Sequence, residues 1–130
     1  MGAVMKSTKA SVNPKNLAAK SRIKVALLPA AGIIHGAHAA MAGAGKYGPY
    51  NWRDQKIALM EYASAMQRHI MDWVDGQDIS ADDRCHHLGH VIACASIMLD
   101  AIEVGAVIDD RPTAGAAAAI LDRLSKPKDD

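Results

Sequence analysis

The run DQKIALMEYASAMQRHIMDWVDG, residues 54–76, decides the fold class. Within it Leu59, Ala63, Met66, Ile70 and Trp73 recur at spacings of 4, 3, 4 and 3. That period draws one apolar stripe along a helix. Glu61, Arg68, Asp72 and Asp75 run down another side, with His69 at the seam. Gly76 is a good helix stop. The spacing predicts a helix over 54–75.

The breakers on either side divide the rest of the chain. Upstream, KYGPYNWR at 46–53 mixes Gly, Pro and Asn with three aromatics and reads as an ordered loop. Before it, a helix over 29–42 starts with Pro29 in its first turn and ends at Gly43 and Gly45. Downstream, Ser80 or Asp82 can cap a third helix over 82–104, closed by Gly105. A fourth helix, over 112–124, opens on Pro112 and carries the alanine block 116–119. The expectation is an all-α, four-helix bundle-like subunit spanning residues 23–130 as one domain.

Composition agrees. The 130 residues include 25 alanines, two threonines and no phenylalanine, which argues against a sandwich or barrel. An alanine-rich core buries little area per residue, so a homo-oligomer, dimer or tetramer, is expected. Residues 1–22 read as a flexible basic tail with no acidic residue and few large apolar ones. The net charge of +1 gives no field for generic nucleic-acid binding. The apolar run 25–45 is a poor membrane span, since two histidines, a proline and four glycines interrupt it. Cys85 and Cys94 lie nine residues apart on the predicted third helix, too far to bridge. They read as reduced thiols of a cytoplasmic protein without a secretory signal.

Chemistry-bearing side chains gather between residues 69 and 103. His87 and His90 are spaced i, i+3 and share a helix side with Asp83 and Cys94, while Asp82, His86 and Asp100 fall on the adjacent stripe. The short connection after Gly76 makes the second and third helices antiparallel neighbours. At about 1.5 Å rise per residue, His69, His87 and His90 then lie at similar depth, near Asp78 and Asp82. One cavity holding His69, Asp78, Asp82, His87 and His90 is the expectation. Solvated surface acids and packed core histidines are the plainer reading of the same spacing. His35 and His38 form a second H-x-x-H pair among small residues, which favours packing over ligation. In the loop, Lys46 and Arg53 can meet phosphate, Asn51 a base edge, and the aromatics a base face. The loop can equally be pinned by those aromatics onto the bundle.

Three pieces in order carry a resemblance: K-Y-G-x-x-N-W at 46–52, A-x-x-R-H-x-x-x-W-x-x-G-x-D at 65–78, and H-L-G-H at 87–90 following Asp82. Together they resemble the phage-encoded dATP/dGTP diphosphohydrolase N-terminal domain family, similar in turn to the all-α, MazG-like nucleoside triphosphate pyrophosphohydrolases. The resemblance covers roughly 24–112. It implies hydrolysis of dATP or dGTP to a dNMP and pyrophosphate with Mg²⁺ or Mn²⁺. It further implies His69 and Asp78 as catalytic, and Lys46, Asn51, Trp52 and Arg68 as substrate-binding. Asp78, Asp82, His87 and His90 become metal-proximal.

Two departures stand out. Gly76-Gln77-Asp78 stands where the family tends to have Gly-Glu-Asp, and Asp82-Asp83-Arg84 where it tends to have Glu-Ser-Gly. The chain has only two glutamates, Glu61 and Glu103, so the paired E-x-x-E/D metal motifs are absent as such. Asp100-x-x-Glu103 is the nearest substitute. The alternative is a non-enzymatic helical protein that binds a nucleotide, a metal or a partner.

Overall fold

The computed structural model describes residues 12–127, and within them the chain is mostly helical. A short helix α1 (Pro14–Ala18) and two 3-10 turns (Ala19–Ser21, Val25–Leu27) lead into α2 (Ala30–Tyr47). A 3-10 turn at Asn51–Arg53 and a two-residue strand β1 (Ile57–Ala58) precede α3 (Leu59–Val74). Then come α4 (His87–Glu103), a second short strand β2 (Val107–Ile108) and α5 (Ala117–Ser125). The all-α expectation holds, with α4 packed centrally against both α2 and α3. None of the described helices is long and apolar enough to cross a membrane.

Four boundaries differ from the sequence reading. The first predicted helix runs on through Gly43 and Gly45 to Tyr47, taking in Lys46 of the predicted loop, and ends where Gly48 takes φ +88°; the fourth starts at Ala117 rather than Pro112. The second predicted helix starts at Leu59 rather than 54. Ile57 is pulled into a parallel pairing with Val107, and its side chain is buried against Ala101 and Ala106. Ala58 cannot cap the helix that follows, so Asp110 does so from across the chain, accepting from Met60 N–H at 2.8 Å. The third predicted helix starts at His87 rather than 82. Arg84 adopts φ +61°, a left-handed conformation that a helix interior cannot contain. The segment before the helix is a turn closed by an Ile79–His86 bridge and by Ser80 N–H donating to Cys85 C=O at 2.8 Å. The cap is therefore His86, whose Nδ1 accepts from Leu88 N–H at 3.0 Å, and not Ser80 or Asp82. Within the predicted tail, 1–11 lie outside the described residues, while 14–18 are helical and exposed.

The core is thin. Its buried apolar residues are Ala39, Ile57, Leu59, Cys85, Ala93, Ala101 and Ala106. Closeness of backbone replaces side-chain bulk where α2 crosses α4. A Cβ on Gly89 would sit 2.6 Å from the carbonyl oxygen of His35, and one on Gly36 2.6 Å from Ile92 Cγ2. Only glycine at these two positions lets the helices approach so far.

Candidate functional site

The α3–α4 seam carries the polar cluster. His69 from α3 stacks its ring on His90 of α4, with centroids 4.2 Å apart and planes 7° from parallel. His69 Nδ1 lies 2.8 Å from His87 Nδ1, and His87 Nε2 lies 2.6 Å from Gln77 Oε1. These contacts fix the protons when the rings are neutral. With Gln77 Oε1 as acceptor, His87 carries its hydrogen on Nε2, and its Nδ1 accepts from His69 Nδ1–H. The lone pair of His69 is then left on Nε2. Burial, followed by the neighbouring His90 and His87, lowers the His69 pKa, which keeps that lone pair free at neutral pH.

The turn before α4 supplies a second layer. His90 Nε2 lies 2.8 Å from Asp83 Oδ2. The direction of approach is nonetheless wrong for a hydrogen bond, and this buried nitrogen has no hydrogen-bond partner. Burial pushes Asp83 upward, but His90 and the Cys85 N–H outweigh it and hold the carboxyl at about 2. Asp83 Oδ1 accepts from that N–H at 3.0 Å.

The structure thus brings His69, His87 and His90 together as expected from depth along the helices. Asp78 joins through its backbone, its carbonyl accepting from His87 N–H at 2.9 Å, while its side chain is exposed. Asp82 is also exposed, and the neighbouring Asp83 is the acid that reaches the histidines. His35 is edge-on to His86, with centroids 5.4 Å apart, at the α2 side of the same region.

An open cleft of about 370 Å³ lies on the same seam, lined by Tyr47, Asn51, Tyr62, Ala65 and Cys94. Ala65 is four residues before His69 on α3, and Cys94 four residues after His90 on α4. Residues four apart share a helix face, so the cleft and the histidines are neighbours one turn apart, about 5–6 Å. Arg68 is exposed on α3 and close enough to Cys94 to draw its thiol down, although burial pushes that thiol up more. Burial also raises the pKa of Tyr62 in the cleft wall, helped by Cys94 and Tyr47.

Trp52 and Arg53 serve the scaffold. Trp52 Nε1–H donates to Asp100 Oδ2 at 2.7 Å, and its ring packs on the Ile57–Ala101–Ala106 cluster. Arg53 holds the same carboxylate through two bonds of 3.0 and 2.8 Å. Asp100 is therefore committed to pinning the loop, which leaves it a poor substitute for a metal-binding acid. Lys46 is exposed at the end of α2 beside the cleft residue Tyr47. Sequence reasoning missed two contacts. Gln77 stood out only as a departure from a motif, and Cys85 only as a reduced thiol. Neither has a periodicity signal, because both lie off the helices.

A family model described as dATP/dGTP diphosphohydrolase, N-terminal, matches residues 12–111. The match takes in α1, which the sequence reading placed in a tail, and stops before α5. No curated protein and no solved structure matches the chain.

Proposed function

The chain belongs to the dATP/dGTP diphosphohydrolase N-terminal family, and from that premise we propose that it hydrolyses a purine deoxynucleoside triphosphate to dNMP and pyrophosphate. The observation that carries the reading is the sharing of one seam by an open cleft of about 370 Å³ and a half-buried imidazole cluster. The base enters between Tyr47 and Tyr62, with Asn51 at its edge. The triphosphate then points along the seam toward His69, within reach of Arg68 and Lys46. His69 Nε2, the free lone pair of the cluster, takes a proton from the attacking water. His87 and Gln77 hold the tautomer that keeps that nitrogen a base.

The reaction class implies Mg²⁺ or Mn²⁺, which neutralises phosphate charge and acidifies bound water. Hydrated hard cations suit exposed carboxylates, and Asp78 and Asp82 at the mouth of the seam have that character. His87 is less suited, since both of its ring nitrogens already have protein partners. His90 Nε2 lies instead against Asp83. A homo-oligomer is part of the proposal, because Ile23, Leu27, Ile34 and Met41 stand largely exposed beside a thin alanine core. Cytoplasmic action on the host nucleotide pool completes it, if the chain shares the phage origin of its family.

The test is pyrophosphate release from each dNTP with Mg²⁺ or Mn²⁺. The expected result is turnover of dATP or dGTP that falls about 100-fold or more in His69→Gln with helicity intact. A second reading, nucleotide binding without turnover, draws on Gln77, whose neutral amide partners His87 where the family tends to have a carboxylate. It is the correct reading if calorimetry detects dNTP binding and no pyrophosphate forms with either ion.

A further inference from the structure

Three side chains before and within the first turn of α4 converge on one point. Asp83, Cys85 and His90 each present a ligand atom, and the three atoms lie within 4.8 Å of one another. Among the described residues this is the one group of three such side chains. Its members are a carboxylate, a thiol and an imidazole, a set unlike the all-oxygen surroundings that Mg²⁺ favours. Cys85 is fully buried, while Asp83 and His90 are partly open to solvent, so an ion has a route in from their side.

A second observation concerns the state of one of these ligand atoms. His90 Nε2 is sealed from solvent without a hydrogen-bond partner, although Asp83 Oδ2 is only 2.8 Å away. A buried imidazole nitrogen without a partner is costly. A cation lying between the two groups satisfies both. The other ring face of His90 is fixed by stacking on His69, which sets the direction in which Nε2 points.

We infer that Asp83, Cys85 and His90 form a binding site for a borderline transition-metal ion of the Zn²⁺ class, separate from the hard-cation site at Asp78 and Asp82. Tetrahedral zinc with bonds of about 2.0–2.3 Å sets its ligand atoms about 3.3–3.7 Å apart. The observed 2.8 Å pair must open by about 0.5 Å, and the widest separation, at most 4.8 Å, close by up to about 1 Å. Side-chain rotation alone covers such shifts. Three protein ligands leave a fourth position for water or a phosphate oxygen. On binding, the Cys85 thiol releases its proton to solvent and the S–metal bond forms. The resulting carboxylate and thiolate balance the dication. The metal-free site disfavours that thiolate, since burial and Asp83 raise the Cys85 pKa, so affinity must increase with pH.

Co²⁺ titration of the full chain, without nucleotide or Mg²⁺, tests this directly. One equivalent should produce cobalt–thiolate charge-transfer absorption in the near ultraviolet, and excess Zn²⁺ should abolish it. Cys85→Ser should lose the band with helicity unchanged. His90→Ala should weaken binding at least tenfold, and Cys94→Ser should keep the band. Should Cys85→Ser fail to fold, Asp83→Asn takes its place and must weaken binding while the band remains. No band in the wild-type protein, a band that survives Cys85→Ser, or unchanged affinity in both His90→Ala and Asp83→Asn overturns the inference. None of these readouts depends on turnover, so the activity proposed above stands or falls separately.

Discussion

Gly89→Ala separates backbone propensity from helix crossing, because the two predict opposite signs. Gly89 sits in the first turns of α4, and replacing a mid-helix glycine with alanine gains about 1 kcal/mol where nothing intervenes. Here the new methyl would sit 2.6 Å from the His35 carbonyl oxygen and 3.0 Å from its carbon. Those atoms are the backbone of α2, which cannot rotate away as a side chain would. Overpacking typically costs about 1–3 kcal/mol, and a rigid helix puts this site at the upper end. The net effect is a loss of about 1–2 kcal/mol. For a chain of this length that lowers Tm by roughly 4–8 °C in a circular-dichroism melt. Gly43→Ala is the control: it lies in α2 with no atom within 4 Å of the added methyl, and its Tm should rise by a few degrees. If Gly89→Ala rises with it, α2 and α4 are not in close contact. The turn that holds Asp83 and Cys85 against His90 then loses its support from His35 and His38.

Other substitutions probe the turn, the loop and the histidines. Arg84 at φ +61° is strained, so Arg84→Gly should stabilise the protein by about 1 kcal/mol in a denaturant melt; a lower midpoint would contradict the left-handed turn. Arg53 and then Trp52 hold Asp100 at about 2, below its ordinary 3.8. The stability this contributes is present above pH 4 and is lost as pH falls toward 2, so Asp100→Asn should flatten the acid limb of stability against pH; an unchanged slope rejects the pairing. The lowered His69 pKa means its base form persists below the ordinary 6.5. The acid limb of turnover should accordingly fall below pH 6.5, and a limb above it removes His69 as the base. Gln77→Glu gives His87 a carboxylate partner and should raise turnover about tenfold, while equal or lower turnover makes the amide the working group.

What the sequence disclosed was what has a period. Leu59, Ala63, Met66, Ile70 and Trp73 marked α3, and equal depth from a short connection brought His69 level with His87 and His90. The limits came from contacts made at long range or off the helices. Ile57 reads as helical until Val107, fifty residues later, pairs with it. Ser80 and Asp82 are better caps by propensity than His86, yet the left-handed Arg84 forbids a helix through them. The helical stripe joined Asp83 to His87 and His90, but the wrong geometry gave that neighbour: Asp83 arrives from a turn, and Cys85 comes with it.

Gln77 links the two layers of the site. Its oxygen fixes the hydrogen of His87, His87 fixes that of His69, and His69 stacks on the ring whose far nitrogen faces Asp83. A proton added to His87 must displace one of these contacts, whereas His69 can take one on its free Nε2. A cation at Asp83, Cys85 and His90 places positive charge behind the ring stacked on His69, which disfavours protonation of His69. Occupancy of that site and basicity of His69 are therefore coupled. Zinc loading should move the acid limb of turnover to still lower pH, and the shift should vanish in Cys85→Ser. A limb that stays in place when the wild-type protein is loaded would mean that the stacked rings do not transmit the charge.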